Sequence, residues 1–202
     1  ESGDLLLLVE HEPVVTLGRG TRQSSLPLTP LQLGQRGLTV AEVERGGDVT
    51  FHGPGQLVGY PILDLRHHRE DLHWYLRRLE RVLLDGLGAL GIAAEAKPGF
   101  TGVWTGGRKI ASIGIHVKQW ITFHGFALNV GTDLAWFDLI VPCGIEGVRM
   151  TSVAAELGVP PSLELWSAAR DVVTAAFRQA FDASRPDAVP VARAYGSFGE
   201  TD

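Results

Sequence analysis

The chain has 202 residues, of which 45% are hydrophobic and 20% charged, and its formal net charge is −5. These proportions fit one globular domain over residues 1–202, large enough to bury a core without disulfides or a metal. The negative charge argues against broad nucleic-acid binding, which needs a surplus of Lys and Arg. The single cysteine excludes an internal disulfide. No CxxC pair, zinc-spaced Cys/His cluster or HExxH motif is present, so we expect no metal site.

Neither a membrane span nor a signal peptide is visible in the sequence. No apolar run approaches the roughly 18 residues of a membrane span, and the run at residues 5–9 is too short for a signal sequence. We therefore expect a soluble, cytoplasmic protein without a membrane partner, and nothing demands more than a monomer. The chain begins with Glu1 rather than Met, so a short leading segment is expected to be missing.

The first part of the chain is typical of short strands joined by loops. Apolar runs at residues 5–10 and 14–18 predict two strands, and the apolar-polar alternation at residues 38–44 predicts a third. Residues 21–35 are rich in Pro, Ser, Thr and Gly and have little periodicity, so we expect a loop there.

Two long helices and a hairpin are predicted farther along. Apolar residues recur at helical spacing over residues 70–90 and 163–181. Apolar runs at residues 109–117 and 121–130 predict an antiparallel hairpin. The remaining predictions are a strand at residues 56–65, an irregular segment at 131–150 and a loosely packed tail after Ser184. Strands interspersed with two long helices favour an α+β fold, with mixed or antiparallel sheets and flanking helices.

Residues 45–56 carry too many glycines to be a loop made for packing alone. Glycines let backbone N–H groups approach a ligand closely, and Arg, Thr and His supply donors, so we expect this loop to line a site. We expect His52 to line the site and assign it no catalytic role.

The sequence contains no nucleotide-binding motif of the two common kinds. Gly102 to Arg108 has Arg where a P-loop needs Lys, and Gly18-Arg-Gly20 lacks the third glycine of a dinucleotide-binding motif.

Cys143 and Lys109 suggest a thiol nucleophile with a cationic partner. The thiolate is the reactive form of cysteine, and a neighbouring ammonium favours it. Cys143 lies between Pro142 and Gly144 on a segment predicted to be irregular, as an accessible nucleophile does. Lys109 precedes apolar residues, and a partly buried lysine can shuttle protons. The alternative is that Cys143 is a small buried hydrophobe.

Small residues interrupt the predicted hairpin among Ile, Val and Phe. They would leave an apolar slot suited to an acyl chain, or they would merely let a helix pack closely, and the two interpretations are equally favoured. These residues are Ser112, Gly114, Gly125 and Ala127.

Basic residues gather near the segments that carry these motifs. Such a distribution suits an acidic protein partner, with ordinary solvated surface as the alternative. They are Arg19, Arg22, Arg45, Arg108, Lys109, Lys118 and Arg149.

Together these segments resemble the lipoyl(octanoyl) transferase family over nearly the whole chain. Its long glycine-rich signature is matched by Arg45-Gly-Gly-Asp-Val-Thr-Phe-His-Gly-Pro-Gly-Gln-Leu-Val-Gly-Tyr-Pro61. Three further segments fit in order: Glu12-Pro-Val-Val-Thr-Leu-Gly18, Gly107-Arg-Lys-Ile-Ala-Ser-Ile-Gly-Ile115, and Asn129 through Pro142-Cys-Gly144 to Ser152.

The resemblance implies transfer of an octanoyl or lipoyl group from acyl carrier protein to a lysine of a lipoyl domain. The acceptors would be the E2 subunit of a 2-oxoacid dehydrogenase or the H protein of the glycine cleavage system. It also implies the fold of lipoate and biotin protein ligases. Cys143 would form an acyl thioester, and Lys109 would favour its thiolate and move protons. The implied substrate contacts are Arg45, Gly46, Gly47, Asp48, Val49, Thr50, Phe51, His52, Ser112, Ile113, Gly114, Gly125, Phe126 and Ala127.

No cofactor is expected, because donor and intermediate are both thioesters of similar energy. Backbone N–H groups near Gly144 and in a turn at residues 112–114 are expected to hold the oxyanion. Three rival functions stay open: an ATP-dependent lipoate or biotin ligase, a catalytically silent acyl-binding or carrier-binding module, and a cysteine amidase. The amidase is weakened because no histidine occupies an obvious base position near Cys143.

Overall fold

The chain is described from a computed structural model at residues 3–145 and 147–181, and for the backbone of residues 191–193. In chain order the strands there are β1 (Leu5–Val9), β2 (Val14–Leu17), β3 (Thr39–Glu42), β4 (Thr50–His52), β5 (Gln56–Ile62), β6 (Val103–Thr105), β7 (Arg108–Lys118), β8 (Ile121–Asn129) and β9 (Val191–Arg193). The α-helices are α1 (Pro30–Gly34), α2 (Leu72–Ala89), α3 (Val153–Leu157) and α4 (Leu163–Phe181).

A six-stranded sheet forms the larger part, in the order β6-β7-β8-β5-β1-β9. Its neighbours are antiparallel except for β1 and β9, which run parallel. Helices α2 and α4 pack against each other and enclose the larger core with apolar residues of the sheet. Gly86 allows close contact between these helices, because a Cβ there would lie 3.2 Å from the Cγ2 of Val173.

A three-stranded sheet, in the order β3-β2-β4, carries a second and smaller core. Strand β2 is parallel to β3 and antiparallel to β4. Val15, Val49 and Phe51 are fully buried in this core, where Phe51 stacks on Trp136 at 5.7 Å between ring centroids. The smaller sheet thus has its own apolar support. The glycine-rich segment before β4 contacts the larger sheet, because the Gly46 N–H donates to the Ile115 carbonyl in β7 at 2.8 Å.

The α+β class predicted from the sequence is confirmed, as are the hairpin β7–β8 and the two long helices. Helix α4 has the predicted bounds, whereas α2 is shorter than predicted and begins after Asp71, whose side chain accepts from the Trp74 N–H at 3.0 Å. The tail after Ser184 lies outside the described residues except for the backbone of β9. The single domain over residues 1–202 stays a prediction.

Besides β9, four of these strands and helices were not predicted from the sequence. Helix α1 lies inside the expected loop, where Thr29 and Gln32 form a capping box before Pro30. Strand β4 lies inside the glycine-rich stretch, and β6 and α3 are too short for periodicity to reveal them. In the described ranges, no helix is long and apolar enough to cross a membrane.

Candidate active site

One face of the six-stranded sheet forms the floor of a cavity of about 370 Å³. Register places Val58, Ala127 and Ser112 side by side on three adjacent strands, with Gly125 opposite Gly114 two residues farther on. Alternate residues of a strand face opposite sides, so these five share the cavity face. The cavity is lined by Thr16, Val43, Arg45, Gly46, Gly47, Asp48, Thr50, His52, Val58, Tyr60, Gly99, Phe100, Thr101, Lys109, Ser112, Ile113, Gly114, His124, Gly125, Phe126, Ala127, Cys143 and Ile145.

Lys109 is held near the start of β7 by main-chain hydrogen bonds to the segment that follows Cys143. Its N–H donates to the Arg149 carbonyl at 2.8 Å, and its carbonyl accepts from the Thr151 N–H at 2.9 Å. The side chain is only 1% exposed. Its Nζ lies 5.2 Å from the centroid of the Trp104 ring, which favours a cation.

Gly102 makes room for the Lys109 side chain. Its φ is +133°, and a Cβ there would lie 2.6 Å from the Ala111 carbonyl oxygen and 2.9 Å from the Lys109 Cε. A side chain at this position would therefore displace both the strand and the amine. The Gly102 N–H donates to the buried carboxylate of Glu80 at 3.3 Å, which ties this segment to α2.

Cys143 lies in a 3-10 turn, Pro142–Gly144, in a left-handed backbone conformation with φ of 58°. This conformation is costly for a residue other than glycine, by about 1–3 kcal/mol, and needs support from its surroundings. The Cys143 N–H donates to the Val49 carbonyl at 2.9 Å, and the Gly144 N–H donates to the Val141 carbonyl at 3.0 Å. The glycine-rich segment therefore holds the cysteine segment in place.

The Lys109 and Cys143 side chains meet in the cavity, where Nζ lies 3.0 Å from Sγ. The Ser112 Oγ lies 3.8 Å from the same sulfur. Sγ is half-buried but lines the cavity, so a carbonyl carbon entering the cavity can approach it. A thiol beside an amine donor has the arrangement that covalent acyl transfer needs.

The expected backbone oxyanion site is wrong in this conformation. The N–H groups of Gly144 and Ile145 donate to the carbonyls of Val141 and Pro142, at 3.0 and 3.2 Å. Residues 112–114 lie within β7, in the ladder with β8, and form no turn. Charge developing on a carbonyl oxygen near Sγ would instead meet the side-chain donors of Lys109 and Ser112.

Arg45 uses its hydrogen bonds on the protein itself. Its guanidinium makes five, to the Thr16 hydroxyl and carbonyl oxygens and to the carbonyl oxygens of Gly46 and Asp48, at 2.6–3.3 Å. Burial lowers the pKa of Arg45, while the nearby Cys143 and Asp48 act in the opposite direction. The five N–H donors of an arginine are thereby all engaged, so Arg45 shapes the loop and brings positive charge close to the thiol.

Asp48 connects the loop to the cysteine segment. Its carboxylate accepts from the Ser25 hydroxyl at 2.6 Å and from the Val49 N–H at 2.7 Å. It also packs against Gly144, where φ is +66° and a Cβ would overlap the carboxylate oxygen Oδ2. The glycine after the cysteine is thus required by both backbone conformation and space.

Two of the predicted substrate contacts, Val49 and Phe51, face away from the cavity. Both side chains are 0% exposed in the smaller core, whereas Thr50 and His52 line the cavity. The physical reason is that residues 50–52 are a strand, whose successive side chains point to opposite faces. The prediction that Val49 and Phe51 contact substrate is corrected accordingly. The other twelve predicted substrate contacts line the cavity. Of these, Phe126 has its side chain in the larger core and Ile113 packs against that core, so these two residues border the cavity with their main chain.

The small residues of the hairpin have more than one use. Ser112 and Ala127 line the cavity with small side chains, and the Ser112 Oγ lies near the Cys143 Sγ. A Cβ on Gly114 would lie 3.0 Å from the Arg45 Cδ, so this glycine admits the Arg45 side chain. Gly125 likewise lies against the Gly59 carbonyl and the Pro61 ring. Gly114 therefore gives space to the Arg45 side chain, and Gly125 lets β8 lie close to β5.

Several cavity residues were missed from the sequence. Strand alternation starting from Val58 would have indicated Tyr60, and pairing of β5 with β8 brings His124 to within 6.4 Å of the Tyr60 ring centroid. No local pattern indicates the others: Thr16, Val43, Gly99, Phe100, Thr101 and Ile145. Across the described residues, no three His, Cys, Asp or Glu side chains converge as a metal site requires.

Uncharged polar groups form a second wall around His52, where ring contacts join His52 to His11, His11 to Tyr60 and Tyr60 to His124. Burial lowers the pKa of His52 from 6.5 to about 4, and also lowers the pKa values of His11 and His124. His11 Nε2 and the Tyr60 hydroxyl are hydrogen-bonded at 2.6 Å, and burial raises the pKa of Tyr60. At neutral pH this wall is therefore electrically neutral.

Comparison with known proteins gives strong matches over most of the chain. The family model described as "Lipoyl protein ligase A/B catalytic domain" matches residues 1–178. An octanoyltransferase of Myxococcus xanthus is 46% identical over 199 residues, covering 95% of this chain and 55% of that protein. An octanoyltransferase of Synechococcus elongatus is 51% identical over 179 residues, covering 89% of this chain and 74% of that protein. The chain thus spans about half to three quarters of these relatives' length.

A solved structure gives the same likeness at the level of the fold. A crystal structure of lipoate-protein ligase A bound with ATP superposes with a TM-score of 0.74 at 17% sequence identity, covering 94% of this chain and 75% of that protein. Such low identity bears on the fold alone, and the predicted lipoate-ligase-like architecture is confirmed.

Proposed function

The chain belongs to the lipoyl protein ligase A/B catalytic domain family, and from that premise we propose that it transfers an octanoyl group from a thioester donor to a protein lysine. The observation that carries this proposal is the 3.0 Å contact between Lys109 Nζ and Cys143 Sγ inside a cavity of about 370 Å³. The octanoyltransferase names of relatives about 50% identical support the acyl group and the reaction class. Such a cavity is of the size that small ligands occupy.

In the first step the Cys143 thiolate attacks the carbonyl carbon of the donor thioester. A bond forms between Sγ and that carbon, and the bond from the carbon to the donor sulfur breaks. The departing sulfur takes a proton from the Lys109 ammonium, which leaves a free donor thiol, an octanoyl-Cys143 thioester and a neutral Lys109 amine. Lys109 and Ser112 are the groups placed to donate to the carbonyl oxygen.

In the second step the acceptor lysine attacks the octanoyl-Cys143 carbonyl as a neutral amine, after releasing one proton to solvent. The carbon–nitrogen bond forms, Lys109 takes the second proton, and the bond between the carbon and Sγ breaks. The thiolate and the Lys109 ammonium are thereby restored. One thioester replaces another in the first step, so the acyl group needs no activation by ATP.

The proposed donor is octanoyl-acyl carrier protein, and the proposed acceptors are lipoyl domains of E2 subunits and the glycine cleavage H protein. The family supports lipoyl-domain and acyl-carrier substrates in general. A lipoyl group in place of octanoyl would use the same carbonyl chemistry. The cytoplasmic location and the monomeric state that we expect from the sequence stay predictions.

The test is the intact mass of the protein after mixing with octanoyl-acyl carrier protein in the absence of ATP, beside a Cys143→Ala variant. We expect one hydroxylamine-sensitive octanoyl group on the wild type and none on the variant. Subsequent addition of a lipoyl domain should move the octanoyl group to the domain. A wild-type protein that stays unmodified, but forms octanoyl-adenylate when given octanoate and ATP, would instead be a ligase.

A further inference from the structure

A chain of three buried side chains determines which nitrogen of His52 carries its proton. The chain is anchored at two backbone carbonyls, which only accept hydrogen bonds. Asn129 Nδ2 donates to the Thr151 carbonyl at 3.0 Å, and Gln56 Nε2 donates to the Phe51 carbonyl at 3.2 Å. These two anchors fix the orientation of both amides.

The remaining contacts of the chain follow from those orientations. Gln56 Nε2 also donates to Asn129 Oδ1 at 2.9 Å, so Gln56 Oε1 is the atom turned toward His52 Nδ1, 2.8 Å away. An amide oxygen accepts, so the proton of the neutral ring must lie on Nδ1. Nε2 then carries a lone pair, and it has no hydrogen-bond partner within the described residues.

The bare Nε2 belongs to a ring that lines the cavity. Nδ1 is turned into the protein toward Gln56, which leaves the Nε2 edge of the ring for the cavity. Burial lowers the pKa of His52 to about 4 and outweighs the hydrogen bond to Gln56, which acts in the opposite direction, while His11, Arg45 and His124 lower the pKa further. The lone pair is therefore kept as an acceptor across the neutral range.

Four other polar groups of the cavity either only donate hydrogen bonds or already have a partner. The charged side chains of Lys109 and Arg45 can donate hydrogen bonds but cannot accept them. The Asp48 carboxylate already accepts from the Ser25 hydroxyl and the Val49 N–H. The Tyr60 hydroxyl is hydrogen-bonded to His11. An N–H group in the cavity thus finds an unused acceptor at His52.

We infer that His52 Nε2 accepts a hydrogen bond from a substrate N–H, and that Gln56 and Asn129 are positioning residues that hold the proton of the neutral ring on Nδ1 and so leave Nε2 as the acceptor. The inference rests on the proposed function and adds an orienting acceptor on the side of the cavity formed by His52. The N–H is supplied either by the amine of the acceptor lysine or by an amide of the donor's thiol arm. An orienting hydrogen bond of this kind aligns the reacting groups without taking the proton.

The protonation of His52 is measured by ¹⁵N NMR on the whole chain at neutral pH. We expect a protonated Nδ1 and an unprotonated Nε2. We also expect the Nε2 resonance to move toward a hydrogen-bonded position when octanoyl-pantetheine or a lipoyl domain is added to the Cys143→Ala variant. A proton on Nε2 in the free protein would overturn the inference. So would an Nε2 resonance that neither ligand moves.

The two halves of the reaction distinguish the sources of the N–H. Thiol release from octanoyl-acyl carrier protein reports the first step, and transfer from isolated octanoyl-enzyme to a lipoyl domain reports the second. His52→Phe keeps a ring but no acceptor, and we expect it to slow one of these steps by about 10- to 100-fold. Slowing of the second step alone identifies the acceptor amine, and slowing of the first alone identifies the donor arm.

The matched control is His52→Gln, whose side-chain oxygen can replace Nε2 and whose N–H₂ can donate to Gln56. We expect it to restore most of the rate lost in His52→Phe. Equal slowing of both steps, no slowing, or no recovery in His52→Gln would overturn the inference. A wild-type protein that takes up no octanoyl group would overturn the proposed function instead, while the ¹⁵N measurement would still test His52.

Discussion

The two polar walls of the cavity are built by different means. Lys109 and Cys143 are placed by the main chain, through hydrogen bonds to the Arg149 and Val49 carbonyls and an unusual φ of 58° at the cysteine. The ring of His52 is oriented by side chains, through the amide of Gln56, which Asn129 holds in turn. The wall of Lys109 and Cys143 depends on nearby glycines, since a side chain there would displace the main chain. The wall of His52 depends on which atom of each amide donates and which accepts.

This difference separates two kinds of sensitivity. At the wall of Lys109 and Cys143, an added Cβ at Gly102 or Gly144 would overlap neighbouring atoms and shift the reacting groups. At the wall of His52, a substitution that preserves shape but exchanges a donor for an acceptor changes the protonation of the ring. The predictions below separate these effects.

Cys143→Ser is expected to have the largest effect. A hydroxyl beside Lys109 is a far weaker nucleophile than a thiol at neutral pH, so octanoyl transfer should fall by at least about 10³-fold. Steady-state transfer to a lipoyl domain measures the loss, with thermal unfolding as the check that the variant folds. Transfer at the wild-type rate would rule out a covalent intermediate on this residue.

Lys109→Met tests the amine against the space it fills. Methionine occupies a similar volume without a charge, and we expect transfer to fall by about 10²- to 10⁴-fold because the proton donor and acceptor is lost. Thermal unfolding checks that the variant still folds. An unchanged pH-rate profile would show that Lys109 moves no proton.

The sequence predicted the reacting residues better than the residues that hold them in place. Cys143 and Lys109 stood out because they are few in number and lie in distinctive segments. Thr16 accepts three hydrogen bonds from Arg45, and it was not predicted because the two residues are 29 positions apart in the sequence. Val49 and Phe51 were misplaced because the glycines around them concealed a three-residue strand. Trp104 was missed because its contact with Lys109 depends on pairing of β6 with β7, which no short pattern reveals.

Gly144→Ala tests whether the position of Cys143 depends on the absence of a side chain at Gly144. Its matched control is Gly158→Ala, since both glycines have φ of +66° but only Gly144 has a neighbour, Asp48, that a Cβ would overlap. Both variants should lose about 1–2 kcal/mol from backbone strain. Gly144→Ala alone should also lose about 10²-fold in transfer, because Cys143 moves. Equal activity in the two variants would mean that the Asp48 contact does not position the thiol.

The smallest expected effect is the pH dependence of stability from the His52 wall. In the unfolded chain His52 binds a proton near pH 6.5, whereas burial lowers its pKa in the folded protein to about 4. Between these values the unfolded state binds more protons, so the free energy of unfolding falls as the pH falls from about 6.5 to about 4. A shift of this size corresponds to at most about 3 kcal/mol. Denaturant unfolding across that range measures the slope, to which His11 and His124 contribute in the same direction. In His52→Gln the slope should be shallower; an unchanged slope would mean that His52 is as free to protonate in the folded state as in the unfolded chain.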